Sequence, residues 1–203
     1  MYNLNRCESI ALNLNCRKTI MTQKMITPEF RGSFVHILEP HAMKAAPGEK
    51  QPEPRYQITI PIDKKDPFWK KFDKLVEETA IAKWGKVPPK LKTPKKDGDD
   101  TDMDGNVRPE FAGKWSIQAS SKNKPGIVDA NLQPLMSADE IYSGAWYRAS
   151  IRCYAWEHAT GGRGVSVALD NVMKVRDDEA FSGKSKAEDD FADFAKSSDS
   201  MLD

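Results

Sequence analysis

The sequence predicts a mainly β fold in which a small barrel of about five strands carries one α-helix and long loops. Two observations lead to this prediction. Most of the patterned chain alternates apolar and polar residues with the period of a strand, and only one stretch has the period of a helix. With 203 residues, of which 39% are hydrophobic, the chain is long enough for one domain with additional segments outside its core.

The strand predictions rest on period-2 alternation between clusters of turn residues. In the clearest segment Tyr56, Ile58, Ile60 and Ile62 fall on one face of an extended chain. The last two strands are separated by Gly161 and Gly162, a pair typical of a hairpin turn. The predicted strands cover residues 30–38, 55–62, 114–120, 127–128, 145–156 and 163–175.

The helix prediction begins at Asp66 and Pro67, because aspartate is a favoured N-cap and proline suits the first turn. An apolar stripe at helical spacing follows, and Gly85 provides a stop signal. The stripe consists of Phe68, Phe72, Leu75, Val76 and Thr79, and we interpret it as core packing against the barrel. Strands with one helix between them indicate an OB-like five-stranded Greek-key barrel.

The charge distribution divides the chain into a basic body and an acidic end. Nine acidic and three basic residues follow Arg176, so this end carries −6, and the rest of the chain carries +7 because the total is +1. We expect a disordered N-terminal extension at residues 1–25, one domain at 26–176 and an acidic disordered tail at 177–203. The asymmetry indicates a nucleic-acid partner and a tail that can compete with it.

The sequence lacks the signatures of most enzymes and of metal or cofactor sites. No P-loop, GxSxG or HExxH motif is present, and Cys7, Cys16 and Cys153 include no CxxC pair. His36, His41 and His158 are scattered, so we expect no metal, no cofactor and no catalytic residues. There is also no apolar run long enough for a transmembrane helix and no signal peptide, which makes a cytoplasmic protein the default expectation.

The most informative segment for function is the predicted strand Ala145–Trp156, whose two faces differ in chemistry. One face is small and apolar, whereas the other interleaves aromatic and cationic residues. Single-stranded nucleic acid needs this combination, because bases stack on aromatic rings and cations neutralise the backbone. The candidate binding residues on this face are Trp146, Arg148, Arg152, Tyr154 and Trp156. The alternative is that the helix covers this face and its aromatic residues are ordinary packing.

Two further groups of charged residues are candidates for binding. Six cationic residues in loops and at the end of the last strand are candidate phosphate contacts: Lys90, Lys92, Lys122, Lys124, Lys174 and Arg176. A solvated surface explains them equally well. In the tail, acidic residues surround two phenylalanines and form a candidate partner-binding motif: Glu188, Asp189, Asp190, Phe191, Asp193 and Phe194. A merely solubilising end has the same composition.

Nine stretches, distributed in order over about residues 28–194, carry a resemblance to a known family. They are Arg55–Ile62, Ala82–Gly85, Pro89–Lys92, Asp97–Asp99, Ser121–Asp129, Tyr142–Gly144, Tyr147–Ser150, Leu169–Arg176 and Ser185–Phe191. In these stretches the chain resembles a family of single-stranded-DNA-binding proteins encoded by tailed phages. The resemblance implies an OB-fold, binding of single-stranded DNA (ssDNA) during phage replication or recombination, and an acidic tail that contacts replication proteins such as a polymerase or a helicase. The place of action would then be the host cytoplasm, and a homo-oligomer stays open.

Two other functions remain open from the residues alone. The long loop at residues 86–113 contains an acidic run at 97–104 that could serve a metal-dependent nuclease or recombination enzyme. Calcium binding by this run is disfavoured, because its spacing does not match an EF-hand loop. The third reading is an interaction module that uses the barrel to bind a peptide.

Overall fold

The computed structural model describes residues 23–42, 51–100, 107–137, 139–159 and 161–181. Nine strands and one helix occur in this part of the chain. They are β1 (Lys24–Ile26), β2 (Phe30–Arg31), β3 (Ser33–His41), β4 (Arg55–Asp63), α1 (Phe68–Trp84), β5 (Lys95–Asp97), β6 (Lys114–Ser121), β7 (Gly126–Val128), β8 (Trp146–His158) and β9 (Gly162–Arg176).

The strands form one sheet that closes on itself. β3 pairs with β4, β4 with β6, β6 with β9, and β9 with β8. β8 in turn pairs with β1 and β2, and β2 is separated from β3 by Gly32 alone. The β6–β9 pairing is parallel, whereas the other main pairings are antiparallel. The prediction of an OB-like, mainly β barrel with one helix is therefore confirmed.

Gly32 makes the closure of the barrel possible. A Cβ atom at this position would lie 2.6 Å from Cδ2 of Tyr147, whose ring is fully buried below it. The Tyr147 hydroxyl donates to the carbonyl of Tyr142 at 2.8 Å and accepts from the N–H of Tyr142 at 3.1 Å, so its polar atom is satisfied inside the barrel. Any side chain at residue 32 would push the backbone between β2 and β3 away from the Tyr147 ring.

The barrel interior is filled by the apolar faces that the strand alternation predicts. Ile58, Ile60 and Ile62 of β4 are buried, as are Ile117 of β6 and Val165 and Val167 of β9. Ala145, just before β8, and the interior face of β8 with Tyr147, Ala149, Ile151 and Cys153 are all buried. Burial raises the pKa of the Cys153 thiol to about 12.

Helix α1 packs against the barrel with the stripe that the sequence predicts. Phe68, Phe72, Leu75 and Val76 are buried, and Ala80 takes the place in the core that the stripe had assigned to Thr79. The helix begins one residue after Pro67, and Oδ1 of Asp66 accepts the N–H of Phe68 at 2.7 Å. It ends at Gly85, whose φ of 74° lets its N–H bond the carbonyl of Ile81 at 2.7 Å.

Two segments that the sequence placed outside regular structure contribute to the sheet. β1 begins at Lys24, within the residues assigned to the N-terminal extension, and residues 1–22 lie outside the described part. The predicted loop 86–113 contains β5, which pairs with β6, and Lys92 forms a bridge with Gly164. In the described part of the chain, no helix is long and apolar enough to cross a membrane.

Candidate nucleic-acid interface

The outer face of β8 has the composition that the strand alternation predicted. Arg148, Arg152 and Tyr154 are exposed, while Trp146 and Trp156 are half-buried. Helix α1 contacts the far end of this strand, where Lys83 Nζ donates to the carbonyl of Ala155 at 3.0 Å. The helix thus leaves the middle of the face uncovered.

Four of the predicted residues line one open cleft of about 760 Å³ on this side of the barrel. The cleft runs between the outer face of β8 and β9 and the turn that follows β6. We call it the basic cleft, because its charged side chains in the described part of the chain are five cations and one carboxylate: Lys24, Arg55, Lys122, Lys124, Arg152 and Asp170. Tyr154 is its aromatic side chain, and Lys24 and Arg55 are members that the sequence did not single out.

The carboxylate of Asp170 organises the floor of the basic cleft. Nε of Arg152 donates to both of its oxygens at 2.9 and 2.8 Å, and Nη2 donates to Oδ1 at 2.6 Å. This pairing raises the pKa of Arg152. Lys24 Nζ lies 4.0 Å from the same carboxylate. At the rim, Lys122 Nζ pairs with Glu53 at 2.6 Å, and this contact lowers the pKa of the Glu53 carboxyl.

The start of the acidic tail contacts two other predicted residues, and a third predicted residue stacks on one of these two. Trp146 Nε1 donates to Asp178 at 2.7 Å, and the guanidinium of Arg176 lies 4.1 Å from the Trp146 ring centroid. Lys174 Nζ pairs with Asp177 at 2.7 Å. These side chains do not line the basic cleft, and in this arrangement they bind the chain itself.

The remaining predicted cations and Trp156 lie apart from the basic cleft. Arg148 is exposed and pairs with Glu29 at 2.7 Å. Trp156 lies over Gly164, where a Cβ would be 2.4 Å from its ring, and its Nε1 donates to Ser166 Oγ at 2.8 Å. Lys90 and Lys92 are exposed in the segment before β5, where Lys92 bridges to Gly164 of β9, and neither lines the cleft.

Other sequence predictions fall on residues that the structure does not describe. The tail motif Glu188, Asp189, Asp190, Phe191, Asp193 and Phe194 lies outside the described residues, as does the 101–104 part of the acidic loop. Asp97 and Asp99 are described, and both pair with Lys64 Nζ, at 2.5 and 2.6 Å. The pairing with Lys64 lowers the pKa of the Asp97 carboxyl, and the N–H of Gly113 together with Lys64 lowers that of Asp99. Within the described ranges, no group of three or more His, Cys, Asp or Glu side chains could hold a metal ion.

A second pocket, of about 500 Å³, lies on the outer face of β3, β4 and β6, and the sequence analysis did not predict it. We call it the aromatic pocket. The rings of Phe34 and Phe111 are stacked, with centroids 6.4 Å apart and planes 15° apart, and the Arg108 guanidinium lies 5.0 Å from the Phe34 centroid. His36 and His41 form a second stacked pair at 4.4 Å. Burial and the neighbouring His41 lower the pKa of His36.

A third, smaller hollow joins the two regions. It has a volume of about 310 Å³ and is lined by His41 and Gln57, which also line the aromatic pocket, and by Arg55, which also lines the basic cleft. The outer face of β4 therefore carries a continuous path from Phe34 to Tyr154. In OB-folds the face of the second and third strands is where oligonucleotides bind, and β4 and β6 occupy those positions here.

Solved structures of phage proteins share this fold. The chain is similar to the single-stranded DNA-binding protein from bacteriophage Enc34 in complex with ssDNA, with a TM-score of 0.65, 30% identity, and coverage of 78% of this chain and 89% of that one. The single-stranded DNA-binding protein encoded by bacteriophage T7 has a TM-score of 0.52 at 14% identity, covering 89% of this chain and 99% of that one, which supports the fold alone.

A curated relative is the protein p50 of Acyrthosiphon pisum secondary endosymbiont phage 1, 36% identical over 89 residues. That match spans 43% of this chain and 45% of the relative, so the chain covers less than half the length of that protein. The family model described as the ssDNA-binding protein of Enterobacter phage Enc34 matches residues 23–202, which is most of the chain. The chain therefore belongs to the family of Enc34-type phage ssDNA-binding proteins.

Proposed function

We propose that this protein binds ssDNA with little sequence preference and covers it during phage DNA replication or recombination in the host cytoplasm. The observation that carries the proposal is the basic cleft. Lys122, Lys124, Arg152 and Tyr154, which the sequence singled out for this role, come from different parts of the chain and meet in one open groove. The names of the related phage proteins support the same partner.

The chemistry of the cleft suits a flexible polyanion. Five cationic side chains against one carboxylate leave an excess of positive charge that would displace counterions from phosphates. Tyr154 is 36% exposed and lines the cleft, so its side chain is within reach of a bound strand. Stacking accepts every base, which explains the lack of sequence preference. Binding rather than catalysis is the role proposed for this site.

The acidic tail would serve a second purpose, contact with replication proteins. Its residues Glu188, Asp189, Asp190, Phe191, Asp193 and Phe194 combine charge with apolar anchors. The composition supports a docking segment that a basic groove on a polymerase or helicase would accept.

The proposal is tested by fluorescence anisotropy with a labelled oligo(dT) of about 20 nucleotides, longer than the site of a typical OB-fold. The oligonucleotide carries the label because none of the five tryptophans lines either pocket. We expect binding whose logarithmic salt dependence becomes shallower by about 1.4 in Lys122→Ala/Lys124→Ala, since each phosphate contact with a single strand contributes about 0.7.

The matched control is Lys70→Ala/Lys71→Ala on the exposed side of α1, which removes the same charge from a surface outside the cleft. The control should bind like the parent protein. Equal salt slopes for all three proteins would contradict the proposed cleft. Cleavage of the oligonucleotide after addition of magnesium or manganese would instead support a nuclease.

A further inference from the structure

We infer that the aromatic pocket is a base-stacking subsite, so that one strand of ssDNA runs from the basic cleft across β4 and inserts a nucleobase beside Phe34 and Phe111. This inference rests on the proposed function and adds a second, chemically different binding region to it. Three observations carry it: the backbone of Phe34, the charge balance of the pocket, and its continuity with the basic cleft.

Phe34 is held in a conformation that large residues avoid. Its φ is 50°, in the left-handed region, although it lies within strand β3. The pairing of β3 with β4 shifts register between Ser33 and His36, so the strand is irregular at this residue. The consequence is an aromatic ring that is 42% exposed on the outer face instead of buried. Strain of this kind persists where a local geometry is over-determined, and it is concentrated at binding sites.

The neighbours of Phe34 complete a stacking surface. Phe111 lies nearly parallel to it, and the Arg108 guanidinium lies over its ring. Planar groups of this type stack with nucleobases, and arginine adds a cation–π contribution. Both partners come from the segment just before β6, so the surface is assembled from residues far apart in sequence.

The charge of the pocket favours a base over a phosphate. Among the residues that the structure describes, its lysine and arginine, Lys96 and Arg108, are matched by two carboxylates, Asp97 and Asp100. A balanced pocket offers a phosphate little gain, whereas the uncharged faces of the rings favour an aromatic ligand. The amide pair at its side, in which Gln118 Nε2 donates to Gln57 Oε1 at 2.7 Å, adds hydrogen-bonding groups suited to a base edge.

The occupant is a base of the bound strand because the pocket continues into the basic cleft. His41, Gln57 and Arg55 line the hollow between the two regions. A strand held by Lys122 and Lys124 therefore has an open path along β4 to Phe34.

The test uses Phe34→Gly, which removes the ring and at the same time relieves the left-handed backbone. We expect the melting temperature to stay at or above that of the parent protein. Affinity for oligo(dT) should fall about tenfold, within the range known for loss of one stacked base, with an unchanged salt slope. On an abasic oligonucleotide of equal length, the variant and the parent should bind equally.

The matched control is Leu132→Gly. Leu132 also has a left-handed backbone, with φ 64°, is 66% exposed and lines neither pocket. Its replacement should leave DNA affinity unchanged. Phe111→Leu provides a second variant, which should reproduce the loss seen for Phe34→Gly on oligo(dT).

The outcomes separate the two proposals. If Phe34→Gly binds oligo(dT) within twofold of the parent while Lys122→Ala/Lys124→Ala weakens it, the stacking subsite is wrong and the proposed function stands. An equal loss on the abasic strand would also overturn the subsite, because the ring would then act without a base. If the parent protein does not bind ssDNA, the proposed function itself fails.

Discussion

The basic cleft and the aromatic pocket lie on the same side of one barrel and differ in almost every chemical respect. The cleft combines five cations with one carboxylate and a single tyrosine, whereas the pocket combines two stacked phenylalanines with two cations and two carboxylates. Long-range attraction and salt dependence belong to the first kind of surface, and short-range stacking to the second. Under the two proposals, a bound strand is held by its phosphates at one end of the groove and by a base at the other.

The largest effect is expected when both regions are altered together. In Phe34→Gly/Lys122→Ala/Lys124→Ala the fold-losses should multiply, because contributions from separate, non-contacting sites add as free energies. With about tenfold from each region, the combined loss on oligo(dT) at low salt is about a hundredfold. Anisotropy titrations measure it directly. If the triple variant binds no more weakly than the weaker of Phe34→Gly and Lys122→Ala/Lys124→Ala, one strand does not occupy both regions.

A smaller effect of opposite sign is expected from Asp170→Asn. The Asp170 side chain is 13% exposed on the floor of the basic cleft, where its charge opposes a phosphate. Its removal should tighten binding about fivefold at low salt, the size of one Coulomb contact in water, and the gain should vanish at high salt. Asp73→Asn is the control, since Asp73 pairs with Lys95 outside the cleft. Weaker binding by Asp170→Asn would instead make Asp170 the group that positions Arg152.

The smallest expected effect is a dependence on pH, which concerns the aromatic pocket because His36 lines it. The pKa of His36 in the folded protein is lowered from 6.5 by burial and by His41, so the folded state binds this proton less readily than the unfolded chain does. The stability contributed by His36 is therefore complete above pH 6.5 and is lost as the pH falls toward the lowered pKa. In His41→Gln the pKa of His36 should move partway back up, as measured by NMR titration of its ring protons.

The charge of the aromatic pocket can be examined by measuring ssDNA affinity as a function of pH. Protonation of His36 would add positive charge to the aromatic pocket, so ssDNA affinity should rise modestly as the pH falls toward the lowered pKa of His36. Because His41→Gln removes one cause of the lowered pKa of His36, it should move this rise to higher pH and leave the salt slope at neutral pH unchanged. A His36 pKa that does not respond to the substitution would show that burial alone lowers it.

Local patterns predicted the barrel and one side of the candidate site. Alternation along Ala145–Trp156 placed Tyr147 and Ile151 inside and Arg152 and Tyr154 outside, and the structure agrees. The helix and its stop at Gly85 follow from capping and spacing, which involve only residues close in sequence. Patterns of this range are reliable because the backbone itself fixes which side chains share a face.

The rest of the site depends on contacts that no local pattern contains. Strict alternation from Phe30 would place Phe34 on the buried face, and only the irregular backbone between Ser33 and His36 turns its ring outward. Lys24 and Arg55 join the basic cleft through strand pairing with distant segments. The hydrogen bond from Trp146 to Asp178 likewise depends on the start of the tail folding back toward β8.

The burial of Cys153 has a practical consequence for measuring these effects. Its thiol is 1% exposed and its pKa is raised to about 12, and alkylating reagents attack only an accessible thiolate. After replacement of Cys7 and Cys16 by serine, labelling at Cys153 would therefore proceed only when the barrel opens, so its rate would report the opening equilibrium. A ligand that binds the closed barrel slows such opening in proportion to its occupancy. Thiol labelling with and without oligo(dT) would thus measure binding by an unlabelled protein to unlabelled DNA.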